Sequence, residues 1–160
     1  MFDGSHHTFE RLARQDSVLV IPVMADGRIV LTEQEQPNKP PFITFAGGRV
    51  DPGETALQCA KRELLEETGS VSEDVAEWFQ ITPADKLDWT IHTYIARGCK
   101  RVQEQELDPG EKITITYISF EQFLDLAAND KLREKDVTIK VLQAKLDQTK
   151  MTELKRLFFG

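Results

Sequence analysis

The sequence predicts an α+β fold: β-rich runs gather early around a hairpin signal, one strongly acidic helix lies mid-chain, and further strands precede two closing helices. Early hairpins join antiparallel neighbours without a crossover, which separates this order from a doubly wound sheet. The 160 residues suffice for one domain with a real core and are too few for two comfortable ones. We divide them into a short N-terminal arm over 1–16 and a single domain over 17–160.

Ser17-Val-Leu-Val-Ile-Pro-Val-Met24 is rich in β-branched and apolar residues and reads as the first main strand. Pro22 offers no N–H, which points to an edge or bulge position. Asp26-Gly27 is a two-residue turn signal leading to a second strand over 28–32. The prolines at 37, 40 and 41 make a loop, and a short strand over 42–45 delivers the chain to Ala46-Gly47-Gly48. A helix over 55–68 follows Pro52-Gly53 and stops at Gly69, the residue that best tolerates a left-handed cap. We place Ala56, Leu57, Ala60 and Leu64 on its apolar face, which leaves the opposite face for glutamates. Strands over 77–82, 89–96 and 113–118 follow, with Ile91, Thr93 and Ile95 on one face of the second. Ser119 reads as the N-cap of a helix through Phe120, Phe123, Leu124 and Leu126. A second amphipathic helix falls within 137–146 and carries Val141 and Leu142. No internal repeat or linker divides the chain.

A net charge of −7 argues against nucleic-acid partners, whose phosphates need a basic surface. No apolar run is long enough to span a bilayer, and the first residues lack the basic start and apolar core of a signal peptide. These features predict a cytoplasmic protein, in which Cys59 and Cys99 stay reduced thiols. His6 and His7 have no ligand partner at useful spacing and read as solvated terminal residues.

The chemistry concentrates in Gly48-Arg-Val-Asp-Pro-Gly-Glu54 and Arg62-Glu-Leu-Leu-Glu-Glu-Thr-Gly69. Glu63, Glu66 and Glu67 fall three and four apart on one helix, so they share a face. Arg62 reaches Glu66 at i+4 but cannot satisfy all three. A hard divalent cation can, since Mg²⁺ is commonly held by one or two carboxylates together with substrate phosphates. Most charge runs are merely solvated helix faces. Here many fixed positions agree in order, so the stretch reads as a metal–phosphate site. A bound cation also lets an acidic pocket hold a pyrophosphate.

That spacing closely resembles the Nudix box, over Gly48 to Ser70, with a weaker likeness from about Ser17 to about Ala127. Every charged and glycine position of the box matches. Ser70 departs from the usual aliphatic residue, and Val71 is placed to fill that packing role. The resemblance implies an α/β/α sandwich around a mixed central sheet. It also implies hydrolysis of a nucleoside diphosphate linked to another group. By the same resemblance, Glu63, Glu66 and Glu67 and the carbonyl of Gly47 would hold Mg²⁺, or Mn²⁺ in its place. Arg62 would orient the carboxylates, Glu54 would support the loop–helix geometry, and Gly48 and Arg49 would meet the substrate.

Related ADP-ribose pyrophosphatases take their general base from a loop downstream of the box. The corresponding stretch here, 102–111, offers Glu111 first, Glu106 second and Glu104 third. Gln36 stands where that branch often has a substrate-contacting arginine, and Phe45 where it often has proline. Trp78, Phe79 and Trp89 are candidates to stack on a base, with core packing the expected use of at least two. ADP-ribose or a nucleotide sugar is the leading substrate. The alternatives are a nucleoside triphosphate pyrophosphohydrolase that cleanses the nucleotide pool, or a nucleotide-sensing module without turnover. Nucleotide-sugar members of the family usually carry a longer N-terminal region that helps form dimers. Only about sixteen residues precede the first main strand here, so the resemblance leaves the mode of a homodimer open.

Overall fold

The computed structural model describes residues 6–35, 40–107, 110 and 112–160. Strands β1 (Leu12–Ala13), β2 (Ser17–Met24), β3 (Ile29–Glu35) and β4 (Phe42–Thr44) precede helix α1 (Ala56–Thr68). Strands β5 (Ser70–Val71), β6 (Asp74–Ile81), β7 (Leu87–Asp88), β8 (Ile91–Arg101) and β9 (Lys112–Ile118) follow it. Helices α2 (Phe120–Ala128), α3 (Lys135–Leu146) and α4 (Gln148–Phe159) complete the order.

The sheet is mixed. β2 and β8 run parallel from Ser17↔Ile91 to Met24↔Cys99. The β2/β3, β3/β4, β3/β9, β5/β8 and β6/β8 pairings are antiparallel. A separate two-stranded ribbon pairs β1 with β7. Side chains of β2 alternate between the two faces, as the two-residue period of a strand requires. Val18 and Val20 join Ala60 and Leu64 of α1, with Tyr94 and Ala96 of β8. Leu19, Ile21 and Val23 join Ile95 and, from the closing helices, Phe123, Val141 and Phe158. The expected layering of helices on both faces of a mixed sheet is what forms.

The loop after β4 runs antiparallel along β2, through isolated bridges at Val20↔Ala46 and Ser17↔Arg49. The Val20 N–H donates to the Ala46 carbonyl at 2.8 Å and the Val18 N–H to the Gly48 carbonyl at 2.9 Å. This alternation points the N–H of the intervening Gly47 away from β2, to Glu67 of α1. The helix starts where a capping box fixes it, with Thr55 and Gln58 satisfying each other's backbone N–H groups. It ends at Gly69, whose φ of 66° is the left-handed cap expected.

Several expectations are corrected. Pro22 is not at an edge, because β2 lies between β3 and β8; the register shift beside it is the bulge alternative. Leu57 is 40% exposed, and Cys59 takes the buried place assigned to it. Glu63 and Glu67 are themselves buried, because the ridge through 59, 63 and 67 lies beside the one through 60, 64 and 68 on the sheet. They flank the apolar stripe instead of opposing it. Helix α4 was not expected, since only Leu154 and Phe158 anchor it in an otherwise polar run. Its start is set by Asp147, which accepts the Thr149 and Lys150 N–H groups. β8 extends to Arg101 through polar residues that the parallel and antiparallel ladders hold without help from hydrophobicity. Among the described residues no helix is long and apolar enough to cross a membrane.

Candidate active site

Arg62 is the hub of the acidic face of α1. Its Nε and Nη2 form a fork on Glu54, at 3.1 and 3.0 Å. Nη1 donates to Glu63 at 2.7 Å and to Glu66 at 3.0 Å, and Nη2 also donates to the Arg49 carbonyl at 3.1 Å. The guanidinium therefore reaches three glutamates, where the helix spacing suggested one. Glu54 also accepts the Asp51 N–H, which closes the turn before the helix. Hydrogen bonds from Arg62 hold the Glu54 carboxyl below its usual range against the opposing effect of burial. Cys59 sits under this cluster, where burial pushes its thiol up to about 12, so it is an inert packing residue.

Glu67 is arranged differently. Its Oε2 accepts the N–H of Gly47 at 3.2 Å, which ties the box helix to the loop along β2. Both glycines are closely packed where a side chain would begin. A Cβ on Gly47 would come 2.2 Å from the Val18 carbonyl oxygen, and one on Gly48 would come 2.1 Å from Glu63 Oε1. The first obstacle is backbone and cannot swing aside. Gly47→Ala is therefore expected to cost about 1–3 kcal/mol of stability through overpacking. Thermal melts beside wild type check this, and an unchanged Tm would remove the steric argument.

The donors here are hard carboxylate oxygens, 9% exposed at Glu63 and 5% at Glu67, and in type they fit Mg²⁺. Among the described residues no three acidic, histidine or cysteine side chains already converge to hold a metal. Arg62 engages Glu63 and Glu66, so coordination by them would exchange guanidinium bonds for bonds to the cation.

Gly47, Gly48, Arg49 and Glu67 line one wall of a cleft of about 550 Å³. Phe79 and Trp89 line it elsewhere, and all three aromatic candidates are half-buried: Trp78 and Phe79 also pack on the core. A cavity of about 650 Å³ between Trp78, Arg97 and the last two helices contains no box residue. The smaller cleft is therefore the candidate active site.

Glu104 points into an ion pair with Arg101, and Glu106 accepts from the Gln103 amide; neither lines the cleft. Gln36 and Glu111 lie outside the described residues. Sequence reasoning missed Gln105, whose amide donates to the Glu67 carbonyl at 2.6 Å and ties the downstream loop to α1. It also missed Arg14, whose guanidinium lies 4.3 Å over the Trp89 ring at the cleft. Neither has a motif or spacing that could have revealed it, because both contacts are made between distant segments.

The model of the NUDIX domain family matches residues 13–140. The chain is 28% identical over 153 residues to the methanol dehydrogenase activator of Bacillus methanolicus, covering 91% of this chain and 80% of that one. It is 26% identical over 130 residues to the ADP-ribose pyrophosphatase of Bacillus subtilis, covering 78% and 69%. A crystal structure of ADP compounds hydrolase superposes with a TM-score of 0.71 at 20% identity, over 90% of this chain and 80% of that one, and supports the fold. The family match spans most of the chain and includes the glycine loop, the Arg62 hub and the glutamate helix just described. The chain thus belongs to the Nudix family, as a pyrophosphohydrolase.

Proposed function

We propose that the enzyme hydrolyses the pyrophosphate bond of a nucleoside diphosphate linked to another group, ADP-ribose or a nucleotide sugar first among them. The products would be a nucleoside monophosphate and a sugar phosphate. The observation that carries this reading is the placement of Glu67, Gly47 and Gly48 on the wall of a cleft sized for a small organic ligand. The likeness to a named ADP-ribose pyrophosphatase over most of the chain supports the substrate class.

Glu63, Glu66, Glu67 and the Gly47 carbonyl would hold Mg²⁺ or Mn²⁺. When bound, such a cation neutralises phosphate charge and makes a coordinated water more acidic. The chain's own part is positioning. Arg62 braces Glu63 and Glu66 through charge-assisted hydrogen bonds. The absence of side chains at Gly47 and Gly48 lets the loop pack against the β2 backbone and the Glu63 carboxylate. Arg14, Arg49, Arg133 and Lys135 place positive charge around the cleft and offset its acidic wall. Gln36 supplies no guanidinium fork, so phosphate binding should be weak and the KM correspondingly high.

Glu111 is the proposed general base. Glu111→Gln should lower turnover by about 10²–10⁴-fold with little change in metal affinity. Comparable activity in that variant, with a large loss in Glu106→Gln, would move the role. The reading also takes the enzyme as a cytoplasmic, single-domain protein acting on a small nucleotide, with no nucleic-acid or membrane partner. It includes a homodimer. Sedimentation at micromolar protein checks the dimer.

A panel of ADP-ribose, nucleotide sugars and nucleoside triphosphates, with Mg²⁺ and Mn²⁺ and with products identified, tests the substrate. A monophosphate and a sugar phosphate are expected from the first two. Pyrophosphate released only from triphosphates would replace this reading with nucleotide-pool cleansing.

A further inference from the structure

A carboxyl group outside the box faces the same cleft. Glu134 occupies the N-cap position of α3 but makes no capping hydrogen bond, so it does not serve the helix as Ser, Asn or Asp would there. Its Oε1 accepts the Thr44 hydroxyl at 2.5 Å. Its Oε2 is shut off from solvent with no hydrogen-bond partner among the described residues, and one turn later the Thr138 hydroxyl is in the same condition. The adjacent cations act on it only through space and make their close contacts with other groups. Arg133 lies 4.3 Å over the Phe42 ring, and Lys135 donates to Asp130 and to the Leu132 carbonyl. Burial pushes the Glu134 carboxyl up. Folded proteins keep few such atoms, because an unmade buried hydrogen bond costs more than a made one returns.

Thr44 precedes Gly47 by three residues of near-extended chain, about 10 Å. A carboxyl held by Thr44 therefore sits well along the cleft from the Gly47–Glu67 wall. That is a distance suited to binding the far end of a substrate, not to activating water at its phosphates. Phe79 and Trp89 give the cleft apolar surface for the flat body of such an end, and Glu134 gives it an acceptor.

We propose that Glu134 determines specificity: its carboxyl, which lines the cleft, turns to bring Oε2 out and accepts a hydrogen bond from the nucleoside end of the substrate, from a base amino group or the ribose 2′-hydroxyl. This rests on the nucleotide-hydrolase reading above. The probes are AMP, IMP and 2′-deoxy-AMP, titrated into metal-free protein by calorimetry. The variants are Glu134→Leu, which removes the acceptor, and Glu134→Gln, which keeps one oxygen. Glu134→Leu should weaken AMP by about ten- to a hundredfold, the effect of one hydrogen bond to a charged group, with partial recovery in Glu134→Gln. IMP binding insensitive to Glu134→Leu would identify the amino group as the donor. Insensitive 2′-deoxy-AMP would identify the hydroxyl. With ADP-ribose as substrate, the loss should appear in KM and leave kcat nearly unchanged. Equal losses for all three nucleotides with a lowered Tm would make Glu134 a structural link to Thr44 and overturn the proposal, as would no loss at all. If the wild type binds AMP through Glu134 yet hydrolyses no pyrophosphate, the hydrolase reading fails and this one stands. If it binds none of the three yet hydrolyses ADP-ribose, this inference falls and the hydrolase reading stands.

Discussion

Glu67→Gln should leave the fold intact and lower pyrophosphate hydrolysis by at least about 10²-fold, more than loss of a residue that merely supports a metal ligand. The substitution is nearly isosteric, and a glutamine oxygen can still accept the Gly47 N–H now bound by Glu67 Oε2. What disappears is the charge at the cleft wall. Rates across a Mg²⁺ titration, beside a melt without metal, separate the two effects. Near-native turnover would remove Glu67 from the proposed metal set. Glu63→Gln should lower activity too, but the structure changes the stability expected of it. Like charges three and four apart on a helix repel, so removing either would by itself relieve strain. Arg62 already donates to Glu63 at 2.7 Å, so neutralising Glu63 weakens a charge-assisted bond and the metal-free Tm should fall.

Arg62→Ala should be the most destabilising single change at the site. It strips Glu54 of a two-bond fork and leaves Glu63 and Glu66 without the cation between them. Breaking a fully buried pair costs about 3–5 kcal/mol; with the Arg62 side chain 29% exposed, about 2–3 kcal/mol is the expected loss. The deficit should shrink as Mg²⁺ is added, because the cation then supplies the missing positive charge, and melts with and without metal read this directly. The deficit should also depend on pH with a definite sign. Arg62 lowers the Glu54 carboxyl in the folded chain, so that stabilisation is present above the ordinary value of 4.5 and is lost as pH falls through the depressed one. Wild type and variant should therefore converge in acid. A deficit unchanged by both Mg²⁺ and acid would mean that lost packing, not charge, is the cause.

Much of this architecture was legible because local signals and tertiary packing agree. Ser17–Met24 is recovered residue for residue, since a continuous run of β-branched and apolar residues suits a strand buried on both faces. Helix α1 is bounded by Thr55 and Gly69, whose cap chemistry is local. The opposite holds for α4, where two buried side chains in twelve give no readable period and the helix depends on what it packs against. At the site, the glutamate spacing was readable, but the reach of Arg62 to Glu54 was not. That bond spans eight residues across a turn, and helix periodicity says nothing about it. Glu134 was invisible for a related reason: an acidic residue before a helix looks like an ordinary cap, and only the fold shows that it caps nothing.

The loop along β2 has one more consequence. Over Val18 and Val20 the flank of β2 away from β8 is bonded not by a strand but by the carbonyls of Gly48 and Ala46. The glycine loop of the proposed active site therefore doubles as a seal on a hydrophobic strand. If it were released, those N–H groups would become a template for another chain, the usual route from an open strand edge to aggregation. Inactive variants in 46–49 should then be judged by light scattering as well as by rate, since insolubility there would mimic a catalytic defect. Glu67→Gln, which can keep the loop fastened, is free of that ambiguity.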